Sequence, residues 1–191
     1  MRKFLTILTL LTFSFANAQE LEGGRYKGFL DATFGLNKIK TEKGLKDMSI
    51  GINTSHGYQV TPWVYTGAGL GVHYYSMDPD GPGNRNGIVG LPIFANLRFN
   101  APTGAVSPFF DAKIGYSPTK KVRGLYFSPS IGIRMGVDNI AANITIGYTM
   151  QKYKVGEFWE FIYTPGNVIV TDHEIARDRI DGLYISLGFD F

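Results

Sequence analysis

The chain has 191 residues, with 19 Lys+Arg against 16 Asp+Glu, 24 glycines, 14 Phe, 11 Tyr and no cysteine. That length fits one domain, and low charge with high aromatic content excludes a disordered chain or a coiled coil. A mean hydropathy of -0.04 without a long apolar run excludes helical membrane spans, and the missing thiols exclude disulfide scaffolds and thiolate metal sites.

Residues 1–18 read as a cleaved secretory signal. Arg2 and Lys3 supply the charged start, Phe4 to Phe15 the apolar stretch, and Ala16-Asn17-Ala18 a small-x-small cleavage site. The apolar stretch is too short to span a bilayer. Cleavage removes Arg2 and Lys3, leaving residues 19–191 as a barrel domain close to neutral, so no nucleic-acid partner is expected.

From Tyr26 onward the apolar residues recur with period two, in runs of about ten residues, the signature of barrel strands. Eight runs are expected: near 26–36, 48–59, 63–75, 88–99, 108–116, 125–135, 141–152 and 182–191. In the last, Leu183, Ile185, Leu187, Phe189 and Phe191 share one face, and Gly182, Tyr184, Ser186, Gly188 and Asp190 the other. The connections alternate in length. Segments near 37–47, 76–87, 117–124 and 153–180 are long and polar, whereas Val60-Thr61-Pro62-Trp63, Ala101-Pro102-Thr103-Gly104 and Val137-Asp138-Asn139 carry tight-turn chemistry. This asymmetry predicts an all-β, up-and-down, eight-stranded antiparallel transmembrane barrel in an outer membrane, with short turns and both termini periplasmic. Periodicity alone does not say which face points outward, so a soluble barrel with an apolar interior is the competing fold. The glycine-rich, oppositely charged polar face favours the membrane form.

The run Gly57-Tyr58-Gln59-Val60-Thr61-Pro62-Trp63, followed by Gly67-Ala68-Gly69-Leu70-Gly71-Val72, resembles small outer-membrane β-barrel proteins common in Bacteroidetes, with porin-like eight-stranded domains. Leu91-Pro92-Ile93-Phe94-Ala95-Asn96-Leu97-Arg98, Ser128-Pro129-Ser130-Ile131-Gly132-Ile133-Arg134 and Gly188-Phe189-Asp190-Phe191 carry the same resemblance. The terminal Phe189 and Phe191 resemble the insertion signal that such barrels present to their assembly machinery, which implies that machinery as a partner. The resemblance brings no catalytic motif, and it admits an accessory role in a secretion system.

The motifs with chemical promise fall short of their patterns. Gly67, Gly69 and Gly71 lack the GxGxxG spacing and a following helix; on a strand they leave lumen space for Tyr65, His73 and Tyr75. His173-Glu174 opens like HExxH, but Arg177 occupies the place of the second histidine, in an expected loop. Asp78-Pro79-Asp80-Gly81 with Asn84 lacks the spacing of an EF-hand. Ser55 and His56 point to opposite faces of a strand and cannot meet, and they sit away from the outer leaflet where lipid A lies. The reading is a non-enzymatic protein without cofactor or metal, a lipid A-modifying enzyme being the last alternative.

Strand parity points Lys27, Asp31, Arg98, Asp111, Lys113, Arg134 and Asp190 into the barrel, mostly in its periplasmic half. Enclosed charges must be paired or hydrated. They form either a network plugging a narrow lumen or a gated pathway for ions or very small solutes. Lys38, Lys40, Lys43 and Lys46 in the first outer loop, with Lys120, Lys121 and Arg123 in the third, suit lipopolysaccharide phosphates. The fourth is expected to form a projecting hairpin in which Phe158, Trp159, Phe161 and Tyr163 precede a Thr164-Pro165-Gly166-Asn167 turn. It offers a protein-contact surface or a headgroup belt; two added wall strands are the lesser option. A monomer is the favoured state.

Overall fold

The computed structural model describes residues 25–39, 46–76, 87–101, 106–164 except 138–139, and 167–191. Nine strand segments follow one another: β1 (Arg25–Ile39), β2 (Lys46–Thr61), β3 (Val64–Tyr75), β4 (Ile88–Gly90), β5 (Ile93–Asn100), β6 (Val106–Pro118), β7 (Arg123–Val137), β8 (Ile140–Thr164) and β9 (Asn167–Asp190). Every pairing is antiparallel, and the sheet closes because β1 pairs with both β2 and β9 while β2 pairs with β3. β4 and β5 are one wall strand. Tyr75↔Ile88 and Leu70↔Ile93 share a single register along β3, interrupted where Pro92 has no N–H to give. The Gly71 N–H still donates to the Pro92 carbonyl at 2.8 Å, which carries the wall across the break. The result is a closed eight-stranded antiparallel barrel.

Which face lies outside is settled by exposure. Leu30, Phe34, Ile52, Leu70, Ile93, Ile114, Ile131, Ile146, Ile185 and Leu187 all stand exposed on the outer wall, while the inward face holds Asp31, Asn53, Arg98, Asp111, Asn143 and Asp190. This is the inverse of a soluble barrel and the arrangement that lipid requires. Tyr26, Trp63, Phe99, Phe110, Phe189 and Phe191 ring the short-turn end, and Tyr74 and Tyr116 mark the other, as in the aromatic girdles of membrane barrels.

The expected strands are all present, and the hairpin arms run further than expected. β8 pairs β7 as far as Gln151 and β9 pairs β1 as far as Ile180; beyond, the two continue against each other to Thr164↔Asn167. Among the described residues the extension pairs only with itself, so it is a two-stranded ribbon above an eight-stranded wall and adds no wall strands. The signal segment with Ala16 and Ala18, Lys40 and Lys43, the Asp78–Asn84 segment, and the side chains of residues 154–178 lie outside the described residues.

Candidate functional site

The lumen is filled in three tiers. The lowest is ionic. Arg98 and Asp111 stand directly opposite in the β5–β6 register, and Arg98 Nε donates to Asp111 Oδ2 at 2.9 Å. Lys113, two residues along on the same face of β6, donates to Asp111 Oδ1 at 3.1 Å and lies 3.4 Å from Asp31. From the far side, Asp190 accepts from Arg134 Nε at 3.0 Å and from Asn143 Nδ2 at 2.7 Å, and lies 3.6 Å from Arg98 Nη1. Gly188 faces Asp31 across one seam and Asn143 across the other, and a Cβ there would come within 2.6 Å of Asn143 Nδ2. The missing side chain is what lets these polar groups converge.

Six of the seven inward charges therefore meet as three cations against three carboxylates. Lys27 stands apart, half-buried, with no ion pair among the described residues. Parity alone did not reveal the aromatic clamp on the network. The Arg98 guanidinium lies between the rings of Phe29 and Phe109, 3.8 and 4.2 Å from their centroids. Both rings sit two residues from an inward aspartate, Asp31 or Asp111, and that spacing on the polar face was the available signal.

Above it lies a polar tier. His73 Nε2 and Asn53 Oδ1 are 2.7 Å apart, Ser128 donates to the Tyr184 hydroxyl at 3.0 Å, and Thr149 donates to Ser128 at 3.3 Å. The void left among Thr33, Asn37, Asn53, His73, Tyr126 and Tyr184 measures ≈ 10 Å³, about the space one water occupies. The glycines of β3 make this packing possible: the Tyr65 ring lies over Gly67, the Phe94 ring over Gly69 and His73 beside Gly71. The top tier is apolar. Tyr75, Ile88, Val122, Tyr153 and Ile180, drawn from five separate segments, form one cluster with each member at most 2% exposed.

Ser55 is buried in the lumen against Asn96 whereas His56 faces outward, so the two do not meet. Thr54 and Tyr26, however, share the outer face with His56. The Thr54 hydroxyl lies 3.0 Å from His56 Nε2, and the Tyr26 hydroxyl 2.6 Å from Nδ1. Phe189 and Phe191 are exposed on the same wall with stacked rings, and the Phe191 backbone pairs with Gly28. Phe158, Trp159, Phe161 and Tyr163 lie on the ribbon opposite Glu174, His173, Val170 and Val168. His173 and Glu174 therefore sit on a strand, not in a loop. Lys120, Lys121 and Arg123 are exposed at the long-loop end.

No family model matches the chain, and no curated protein matches it. Among solved structures it is similar to the outer membrane enzyme PagL, at 12% identity with a TM-score of 0.46, over 83% of this chain and 97% of that one. It is also similar to a de novo designed transmembrane β-barrel, at 10% identity with a TM-score of 0.39, over 85% and 95%. The first likeness, to an enzyme, corrects the expectation of a non-enzymatic protein. The physical reason is that a filled lumen removes only the interior as a reaction site. The wall and rim stay exposed.

Proposed function

We propose that this is an outer-membrane barrel with a sealed lumen, which holds the β8–β9 ribbon above the bilayer as a contact surface for a partner protein or the cell envelope. The observation that carries this reading is the lumen filling: an ionic tier, a polar tier with room for about one water, and an apolar cap lie in series. An ion passing through would have to break paired charges and then cross a buried, mainly apolar cluster, each step costing several kcal/mol. A porin-like conduit fits this interior poorly.

In this reading the signal segment directs export, the short turns face the periplasm, and Phe189 and Phe191 present the insertion signal to the assembly machinery. Lys120, Lys121 and Arg123 then meet lipopolysaccharide phosphates at the outer surface. The test is single-channel recording of the refolded chain, after a heat-shift gel has confirmed a closed barrel. Silence at all salt concentrations is expected. Steady openings whose conductance scales with salt would overturn the sealed-lumen reading.

A further inference from the structure

The hydrogen-bonded group on the outer wall belongs to none of the three tiers. Thr54 and His56 are two residues apart on β2 and so share the lipid-facing side; Tyr26 reaches the histidine diagonally from β1, where Gly28 pairs with His56 and Tyr26 with Tyr58. Both imidazole nitrogens are engaged, at 3.0 Å by Thr54 and 2.6 Å by Tyr26, and the Tyr26 and His56 rings stack at 6.1 Å. On β3 the residue opposite His56 is the small Ala68, and the Phe191 ring meets the imidazole edge-on at 6.0 Å. Tyr26, Trp63 and Phe191 place the group in the lower aromatic girdle, the depth at which headgroups meet acyl chains. A hydroxyl, an imidazole and a second hydroxyl in linear hydrogen-bonded order are the nucleophile, base and orienting group of acyl transfer.

We propose that Thr54, His56 and Tyr26 form an ester-hydrolysing site on the lipid-facing wall, acting on the carboxyl ester of a membrane glycerophospholipid. The His56 Nδ1–H donates to the Tyr26 oxygen, which leaves Nε2 to accept the Thr54 proton. Thr54 Oγ1 attacks the ester carbonyl carbon, forming a C–O bond as His56 takes the proton. The tetrahedral intermediate collapses, the bond from the acyl carbon to the glycerol oxygen breaks, and His56 returns the proton to that oxygen to release a lysophospholipid. Water, deprotonated by His56, then attacks the acyl-threonine; the fatty acid leaves and Thr54 regains its proton. Thr54 and His56 are the catalytic residues, and Tyr26 is a positioning residue.

The experiment reconstitutes the full chain in vesicles of phosphatidylethanolamine and phosphatidylglycerol and measures free fatty acid release, with closure of every variant checked by heat-shift gel. Wild type is expected to release fatty acid, Thr54→Val and His56→Phe to lose about 100-fold or more, and Thr54→Ser to retain activity. Tyr26→Phe should lower kcat while KM holds. An alkyl fluorophosphonate should label wild type at Thr54, as located by mass spectrometry. A closed wild-type barrel that releases no fatty acid would overturn the proposal and leave the group as part of the aromatic girdle. Undiminished release by Thr54→Val would do the same. Acyl release from purified lipid A but not from phospholipid would overturn the substrate assignment.

Discussion

The two ends of the lumen close it by opposite chemistry. At the short-turn end Arg98, Lys113 and Arg134 interlock with Asp31, Asp111 and Asp190; at the long-loop end Tyr75, Ile88, Val122, Tyr153 and Ile180 pack as a small buried core. The ionic tier is held by partners that must all be present, since a buried charge stripped of its partner is far costlier than the pair is favourable. The apolar cap is held by area and shape, so its loss scales with the atoms removed. One end fails by imbalance, the other by erosion.

That contrast is sharpened by three substitutions in order of effect. Arg98→Ala takes one of two cations from Asp111 and one from Asp190, leaves three carboxylates against two cations, and empties the space between Phe29 and Phe109. It should cost about 3–5 kcal/mol in denaturant unfolding followed by tryptophan fluorescence; a loss below about 1 kcal/mol would show that the carboxylates are hydrated and not clamped. Ile180→Ala in the cap should cost about 2–4 kcal/mol by the same assay while the barrel stays silent in single-channel recording, because the ionic tier still blocks the path. Conductance from Ile180→Ala alone would show that the cap is the only seal. Excising residues 155–176 of the ribbon should move the unfolding free energy by less than about 0.5 kcal/mol, since the ribbon pairs only with itself and surface changes away from packed features are small. A larger loss would mean that the ribbon braces the rim.

The wall was legible because lipid imposes the same demand on every strand, an apolar residue at each second position, and the inward charges followed from that parity. Their partnerships were not. Arg98 opposite Asp111 is a fact of the β5–β6 register, and the approach of Asp190 to Arg98 depends on closure of the whole sheet. No single strand's pattern encodes either. The cap was invisible for a related reason: each member is an ordinary apolar or aromatic residue near a strand end, and only the assembled barrel brings five segments to one point. The wall cluster was half legible. Parity correctly separated Ser55 from His56, and the same rule puts Thr54 beside His56; Tyr26 required the pairing of β1 with β2. The β8–β9 ribbon exceeded its expected span because backbone pairing continued through residues whose mixed polar and aromatic character reads as loop.

The seam between β1 and β9 joins Phe29 to Asp190, nearly the full length of the described chain apart. Contacts so distant in sequence form slowly, because the entropy of bringing them together must be spent before any bond repays it. Asp190 lies on that seam and serves Arg98, Arg134 and Asn143 together. Until the last strand docks, Arg98 and Arg134 lack their shared anion, and the open sheet is a curved ribbon with two raw edges and an unbalanced interior. Docking joins the edges and completes the three-against-three ionic tier in one event, so assembly of this protein has a built-in latch: the strand that shuts the cylinder also balances that tier.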